Sequence, residues 1–199
     1  MPTISAKLTD LKALTEMVAT VQKHLDKAMA SGQSIWHNEA AEMQHFARAK
    51  LVLHALKDLH SRFTTTHGFD ANLLLRLRAA DKLMFKMNTW GATKFNTLLE
   101  TLTKKMPKAK LIKTRDKRSE KHANTMIRSA LWRLDDANKW NEPDMIGMLI
   151  GDAADHLEVA HFLYQGLLDK AAKKANYIDT ASREEIPEAV WNYLMDSKD

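Results

Sequence analysis

The spacing of apolar residues is the feature that most restricts the fold of this chain. Along most of its 199 residues, apolar side chains recur at intervals of three and four, which is the period of one face of an α-helix. No stretch of more than four residues alternates at period two with β-branched enrichment, and only 6 Gly and 4 Pro are present to build tight turns. The sequence therefore predicts an all-α protein, a bundle of about six or seven helices in two halves joined by a basic connector.

Caps and breakers divide this pattern into predicted helices. The first two span about residues 6–30 and 38–63, and a third helical region covers about 71–103 with a break near 88–93. Asp70, Ser119 and Asn141 are the predicted N-caps of the helices that follow them. The most regular stripe of the chain predicts one helix from Pro143 to about Lys174, and a last short helix begins near Pro187.

A dense basic stretch separates the two helical halves. Residues 104–121 hold nine Lys or Arg against two acids, a net charge of nine minus two, or +7, whereas the whole chain carries +5. This stretch lacks a sustained apolar period and contains Pro107, so it is predicted to be an exposed connector. The predicted divisions are an N-terminal half (1–103), a connector (104–118) and a C-terminal half (119–199), with one shared core as the alternative.

Charge is also distributed unevenly between the ends of the chain. Residues 135–199 carry 6 basic and 14 acidic side chains, a net of −8. Such polarity can orient a protein on a polyanion or allow one copy to pair with the next, so a homo-oligomer is one expected form. The opposite interpretation is internal compensation, in which the acidic end folds against the basic connector.

These charges favour a binding protein over an enzyme. The leading hypothesis is a non-enzymatic, nucleic-acid-associated subunit of a nucleoprotein complex, in which Lys and Arg contact phosphates with little sequence discrimination. The candidate nucleic-acid-binding residues are Lys104, Lys105, Lys108, Lys110, Lys113, Arg115, Lys117 and Arg118, with Arg76 and Arg78 on the third helix in support. Trp90 and Trp132 would stack on bases if they are exposed. The alternatives are a protein–protein adaptor that binds other subunits and a solvated linker with no partner.

A doubled Glu-x-x-His pattern suggests a different class of function. Glu42 and His45, and likewise Glu158 and His161, are three residues apart and project from one face of a predicted helix. In these two motifs the chain resembles the ferritin-like bundles, whose di-iron or di-manganese sites use such pairs on two helices. The resemblance implies that the four side chains ligate two metal ions and activate dioxygen.

The acidic residues allow a second enzymatic interpretation without the histidines. The pattern Asp155-x-x-Glu158-x-x-His161-Phe162 resembles a helix of the all-α nucleotide pyrophosphohydrolases. That resemblance implies magnesium held by carboxylates, here Glu39, Glu42, Asp152 and Asp155. Phosphate-cradling Gly loops, a nucleophile elbow, a His-Glu-x-x-His motif and a dinucleotide fingerprint are all missing from the sequence.

Composition also indicates the compartment. The chain has no Cys, which excludes disulfides and thiolate chemistry and fits a reducing cytoplasm. No apolar run approaches the roughly 20 residues of a membrane span, and the N-terminus lacks a signal-peptide core. We therefore expect a soluble cytoplasmic protein without a membrane partner.

Overall fold

The computed structural model describes residues 68–85, 111–182 and 186–198, together with residues 16, 19, 23, 27, 30, 31, 48–50, 52, 97 and 102. In chain order its elements are β1 (Phe69–Asp70), α1 (Ala71–Phe85), β2 (Leu111–Ile112), α2 (Lys117–Ala137), α3 (Pro143–Tyr164), α4 (Leu168–Ser182) and α5 (Glu188–Asp196). The protein is mostly helical, as the apolar period predicted, and β1 and β2 add a two-stranded sheet. No helix among the described residues is long and apolar enough to cross a membrane.

The hairpin of α2 and α3 forms the centre of the structure. Residues 138–142 connect the two helices, and at the other end of the hairpin the Tyr164 hydroxyl donates to Asn124 Oδ1 at 2.9 Å, so the helices are antiparallel. The apolar stripes predicted along both helices are buried over the lengths of α2 and α3: Ala123, Ile127, Ala130, Leu134 and Ala137 on α2, and Ile146, Ile150, Ala153, Leu157, Ala160 and Tyr164 on α3. Leu167, which the second predicted stripe also includes, lies beyond the end of α3 and is 38% exposed, so its predicted burial is wrong. Burial of these stripes removes apolar surface from water and holds the hairpin together.

The remaining helices pack around this hairpin. The helix α1 lies on α3, α4 also lies on α3, and α5 contacts both α4 and α2. A Cβ atom added to Gly147 would lie 3.6 Å from Met84 Cβ, and one added to Gly151 would lie 3.1 Å from Asp81 Oδ1. The small residues on this face of α3 therefore permit the close approach of α1.

The N-terminal half also contributes to this core. Ala49 and Val52 lie three residues apart in the second predicted helix (38–63), and both are buried in the same hydrophobic cluster as α1 to α5. The Lys50 ammonium group donates to the carbonyl oxygens of Asn138 (3.2 Å) and Trp140 (2.6 Å) at the C-terminal end of α2. A cation at this position satisfies carbonyl groups that have no partner within the helix.

The single helix predicted from Pro143 to Lys174 is wrong, because the chain turns at Gly166. Gly166 has φ 71°, its N–H donates to Leu163 O at 3.1 Å, and the Leu167 N–H donates to Phe162 O at 2.9 Å. This pair of bonds is a Schellman motif, which ends a helix at a residue in the left-handed region. The apolar period continues across the turn into α4, which explains why periodicity alone joined the two helices.

Two of the three predicted N-caps also differ from the structure. Asp70 accepts a hydrogen bond from the Asn72 N–H at 3.0 Å, as its predicted capping role requires. In contrast, α2 begins earlier than predicted and is capped by Asp116, whose Oδ1 accepts from the Arg118 N–H at 2.9 Å. The N-cap position of α3 is Glu142 instead of Asn141, because Pro143 already occupies the first helical turn.

The two short strands tie α1 to the segment that precedes α2. They pair antiparallel, with Phe69 opposite Ile112 and Asp70 opposite Leu111. Gly68, next to this ladder, has φ 142°, and a Cβ atom there would lie 2.9 Å from Ile112 O. Only glycine meets both conditions without strain.

We expect Gly68→Ala to lower the free energy of unfolding by about 1–2 kcal/mol, because alanine meets both an unfavourable φ and a steric clash. Urea unfolding of the whole chain measures this change. Gly166→Ala is the matched control, since Gly166 also has positive φ but no atom within 4 Å of its added Cβ. An equal or larger loss in the control would contradict the role assigned to the Ile112 contact.

Candidate nucleic-acid interface

The described part of the basic stretch presents its cations to solvent. Lys113, Arg115, Lys117, Arg118 and Lys121 are all exposed, and together they define what we call the cationic surface. They lie on the turn between β2 and α2 and on the first helical turns of α2. The predicted residues Lys104, Lys105, Lys108 and Lys110 lie outside the described residues.

Local hydrogen bonds hold this turn in place. The Asp116 N–H donates to Thr114 Oγ1 at 3.1 Å, and the Asp116 carboxylate accepts from the Arg118 N–H and from the Ser119 hydroxyl. The Ser119 hydrogen bond, together with the backbone N–H groups, lowers the pKa of Asp116. The one acid within the turn is therefore committed to capping α2, while the side chains of the cationic surface extend outward.

Tyr193 on helix α5 forms hydrogen bonds that stabilise the same turn. The Tyr193 hydroxyl donates to Asp116 Oδ2 at 3.1 Å and lies 2.6 Å from Ser119 Oγ. The His122 ring stacks on the Tyr193 ring with centroids 4.6 Å apart, and the Arg118 guanidinium lies 4.8 Å from the Tyr193 centroid. No pattern along the sequence predicts this arrangement, because residues 116 and 193 come together only when α5 packs on α2.

Two cations of the cationic surface act on the neighbouring imidazole of His122. Burial lowers the pKa of His122, and the positive charges of Arg118 and Lys121 lower it further. The negative charge of Asp116 raises this pKa but does not outweigh the other effects. Helix α2 adds the partial positive charge of its N-terminus at the same place. The site is therefore suited to attract an anion.

Arg78, a predicted phosphate contact, instead belongs to a group of charges between three helices. This ionic cluster consists of Arg78 and Asp81 on α1, Asp155 and Glu158 on α3, and Lys174 on α4. Arg78 Nη2 lies 2.5 Å from Asp155 Oδ1 and also contacts Glu158. Its guanidinium is therefore engaged within the protein. Arg76, the other predicted support on this helix, is partly buried and also has interactions within the protein.

Lys174 completes the neutralisation of the two carboxylates on α3. Its Nζ lies 2.7 Å from Asp155 Oδ1 and 3.4 Å from Glu158 Oε2. Burial alone would lower the pKa of Arg78, but the hydrogen bonds and charges of Asp155 and Glu158 outweigh it and raise that pKa. Burial raises the pKa of the Asp81 carboxyl, although the positive charge of Arg78 acts in the opposite direction.

The proposed metal ligands on α3 have other partners. Glu158 is paired with Arg78 and Lys174, and the His161 ring stacks on Phe69 with centroids 5.2 Å apart. Burial also lowers the pKa of His161. Their proposed companions Glu39, Glu42 and His45 lie outside the described residues. Within the part of the chain that the structure describes, no group of three or more His, Cys, Asp and Glu side chains is arranged to hold a metal ion.

His156 is a buried polar residue to which sequence analysis assigned no role. Its side chain is fully buried, and Nδ1 lies 2.7 Å from Asp152 O. Nε2 has no hydrogen-bond partner among the described residues. Burial, and secondarily the charge of Arg133, lowers the pKa of His156 to about 4. The burial of His156 could have been predicted from the sequence, because its spacing from Ala153 and Ala160 places it on the same apolar face of α3.

Comparison with known proteins adds no relative to this picture. No protein-family model, no curated protein and no solved structure matches the chain.

Proposed function

We propose that this protein is a non-enzymatic, nucleic-acid-associated assembly subunit of the cytoplasm that binds phosphate backbones through its cationic surface. The supporting observation is the exposure of five cationic side chains around the N-terminus of α2, where the neighbouring Asp116 is used in capping. Lys and Arg neutralise phosphates and release counterions, which gives affinity with little sequence discrimination. Other protein subunits are the second expected class of partner.

The alternative of internal compensation by the acidic C-terminal region has little support at this surface. Among the described acids of the C-terminal region, Asp196 approaches the cationic surface, with its carboxylate 3.9 Å from the Arg118 guanidinium. Both side chains are mostly exposed, and a surface pair of this kind contributes about 0–1 kcal/mol. A phosphate can therefore compete for Arg118 at small cost.

Salt-dependent binding tests the proposal. For the native protein on duplex DNA, we expect a slope of log affinity against log salt of about −4 or steeper, since about five phosphates are neutralised. The variant with Lys113, Arg115, Lys117 and Lys121 changed to Gln should show a slope shallower by about 3–4 and correspondingly weaker binding at low salt. Fluorescence anisotropy with labelled oligonucleotides measures both quantities.

A matched variant removes the same charge elsewhere. Lys82, Lys170, Lys173 and Lys198 are exposed, and none of them belongs to the cationic surface. Changing these four to Gln should leave the slope nearly unchanged. Equal losses in the two variants would reject the location, and no binding of the native protein at low salt would reject the function and favour a protein-binding scaffold.

A further inference from the structure

The outer face of α2 extends the cationic surface along the helix. Lys117, Lys121, Arg128 and Trp132 are separated by four, seven and four residues and are all exposed. At 3.6 residues per turn, these positions fall within about 60° of one another around the helix axis. They form a line of three cations that ends at an aromatic side chain, which we call the α2 stripe.

We propose that the α2 stripe binds single-stranded nucleic acid, with phosphates on Lys117, Lys121 and Arg128 and one base stacked on Trp132. This inference rests on the proposed phosphate-binding function and specifies which kind of nucleic acid the protein binds. Charge complementarity with the cations argues for a polyanionic partner, and the indole argues for one that offers a free base.

The exposure of Trp132 is the observation that distinguishes this partner. The side chain is 55% exposed, although a large aromatic residue would gain more by burial. The Arg133 guanidinium lies 5.7 Å from the ring centroid, and Arg133 is itself buried and donates to Ser129 O at 3.1 Å. Arg133 therefore approaches the indole from the protein side, and the exposed part of the ring is accessible to a base.

The length of the α2 stripe suits a short segment of single-stranded nucleic acid. From Lys117 to Trp132 the helix rises about 22 Å, which spans at most about six phosphates at the 3.4 Å spacing of one strand. Beyond Trp132 the same face carries the exposed Asp135, which opposes further phosphate contacts. A strand that follows the cations would therefore end its contacts near the indole.

Duplex nucleic acid does not fit this surface equally well. Bases inside a duplex are stacked on their neighbours and are not accessible to an indole on a helix surface. A single strand can present an unstacked base to Trp132 while its phosphates remain near Lys121 and Arg128. We therefore expect tighter binding to a single strand than to a duplex of equal length.

Trp132→Ala separates stacking from phosphate binding. The probes are a single-stranded DNA of about 20 nucleotides, the same strand with abasic sites, and a duplex of equal length. On the intact strand, Trp132→Ala should weaken binding about five- to hundredfold with the salt slope unchanged, because stacking releases no counterions. On the abasic strand, native and variant proteins should bind alike.

Two further variants complete the test. The double change Lys121→Gln and Arg128→Gln should make the single-strand salt slope shallower by about 1.4, which corresponds to two phosphates. Trp140→Ala is the aromatic control, since Trp140 is 37% exposed but lies beyond the end of α2. It should bind the single strand as the native protein does. Circular dichroism of each variant confirms that helical content is retained.

The outcomes distinguish this inference from the function on which it rests. If the native protein binds with the expected salt dependence but Trp132→Ala binds the intact strand equally well, the inference is rejected and the phosphate-binding function stands. An equal loss on intact and abasic strands would also overturn it, because the loss would then not come from a base. Failure of the native protein to bind any of the three probes rejects both.

Discussion

Replacing Arg78 with Met is expected to lower the free energy of unfolding by about 2 kcal/mol. The change removes the cation that Asp155 and Glu158 share on α3 and leaves Lys174 as their remaining cation in the ionic cluster. Loss of one partner from a fully buried ion pair costs about 3–5 kcal/mol. The smaller value applies here because Lys174 still contacts both carboxylates, and because the Arg78 side chain retains 31% exposure, so that water screens their charge. Met keeps an apolar stem like that of Arg78, so the lost stability comes mainly from removal of the charge.

A second substitution tests this explanation. Adding Glu158→Gln to Arg78→Met removes one of the two carboxylates that must then share Lys174 alone, and should recover part of the lost stability. Lys82→Met is the control, since Lys82 lies on the same helix but is exposed, and it should change stability by less than about 0.5 kcal/mol. Urea unfolding of the four proteins gives the comparison, and a double variant that is less stable than Arg78→Met would contradict the explanation.

Acidification is expected to destabilise the protein through His156. Its pKa is about 4 in the folded state, against an ordinary value of 6.5, because burial and the nearby Arg133 charge disfavour the imidazolium. The unfolded chain therefore binds the proton first as pH falls. The stability that the neutral imidazole contributes is fully present above pH 6.5, and it is lost as pH falls from 6.5 to about 4. The loss approaches about 3 kcal/mol.

His156→Phe isolates this effect from other titrations. Phe has a similar shape and no proton to bind, so its cost in packing should not depend on pH. The groups that face His156, namely Arg133, Asp155 and the Asp152 carbonyl, are the same in both proteins. We expect the native protein to lose about 3 kcal/mol more than the variant between pH 7.5 and 4 in urea unfolding. Parallel stability curves would show that His156 is not the group responsible.

The helical class and most buried stripes could be predicted because they depend on local pattern. Ile146, Ile150 and Leu157 share one face of α3 because an α-helix has 3.6 residues per turn. This relation does not depend on which element packs against that face. The boundary between α3 and α4 was missed for the same reason, since Leu167 and Ala171 keep the apolar period across the turn. Gly166 marks this boundary in the sequence, but a single glycine does not interrupt the apolar period.

The roles of individual charges were less predictable. Arg78 and Lys113 are both basic residues in the sequence, yet Arg78 contacts carboxylates 77 and 80 residues away while Lys113 is exposed. Glu158 and His161 have a spacing that suits a metal, but each contacts another group in the structure. Glu158 contacts cations from α1 and α4, and the His161 ring stacks on the aromatic ring of Phe69 in β1. No pattern along one helix specifies which face of another helix will meet it.

By itself, the sequence determined the helical period, the absence of thiol chemistry and the strongly uneven distribution of charge, because each of these is a property of residue order and type. Only the tertiary structure decided which charges neutralise one another inside the protein and which, around the N-terminus of α2, face solvent. The physical reason is that electrostatic interactions depend on distance and on burial, and both are set by the packing of helices far apart in the chain.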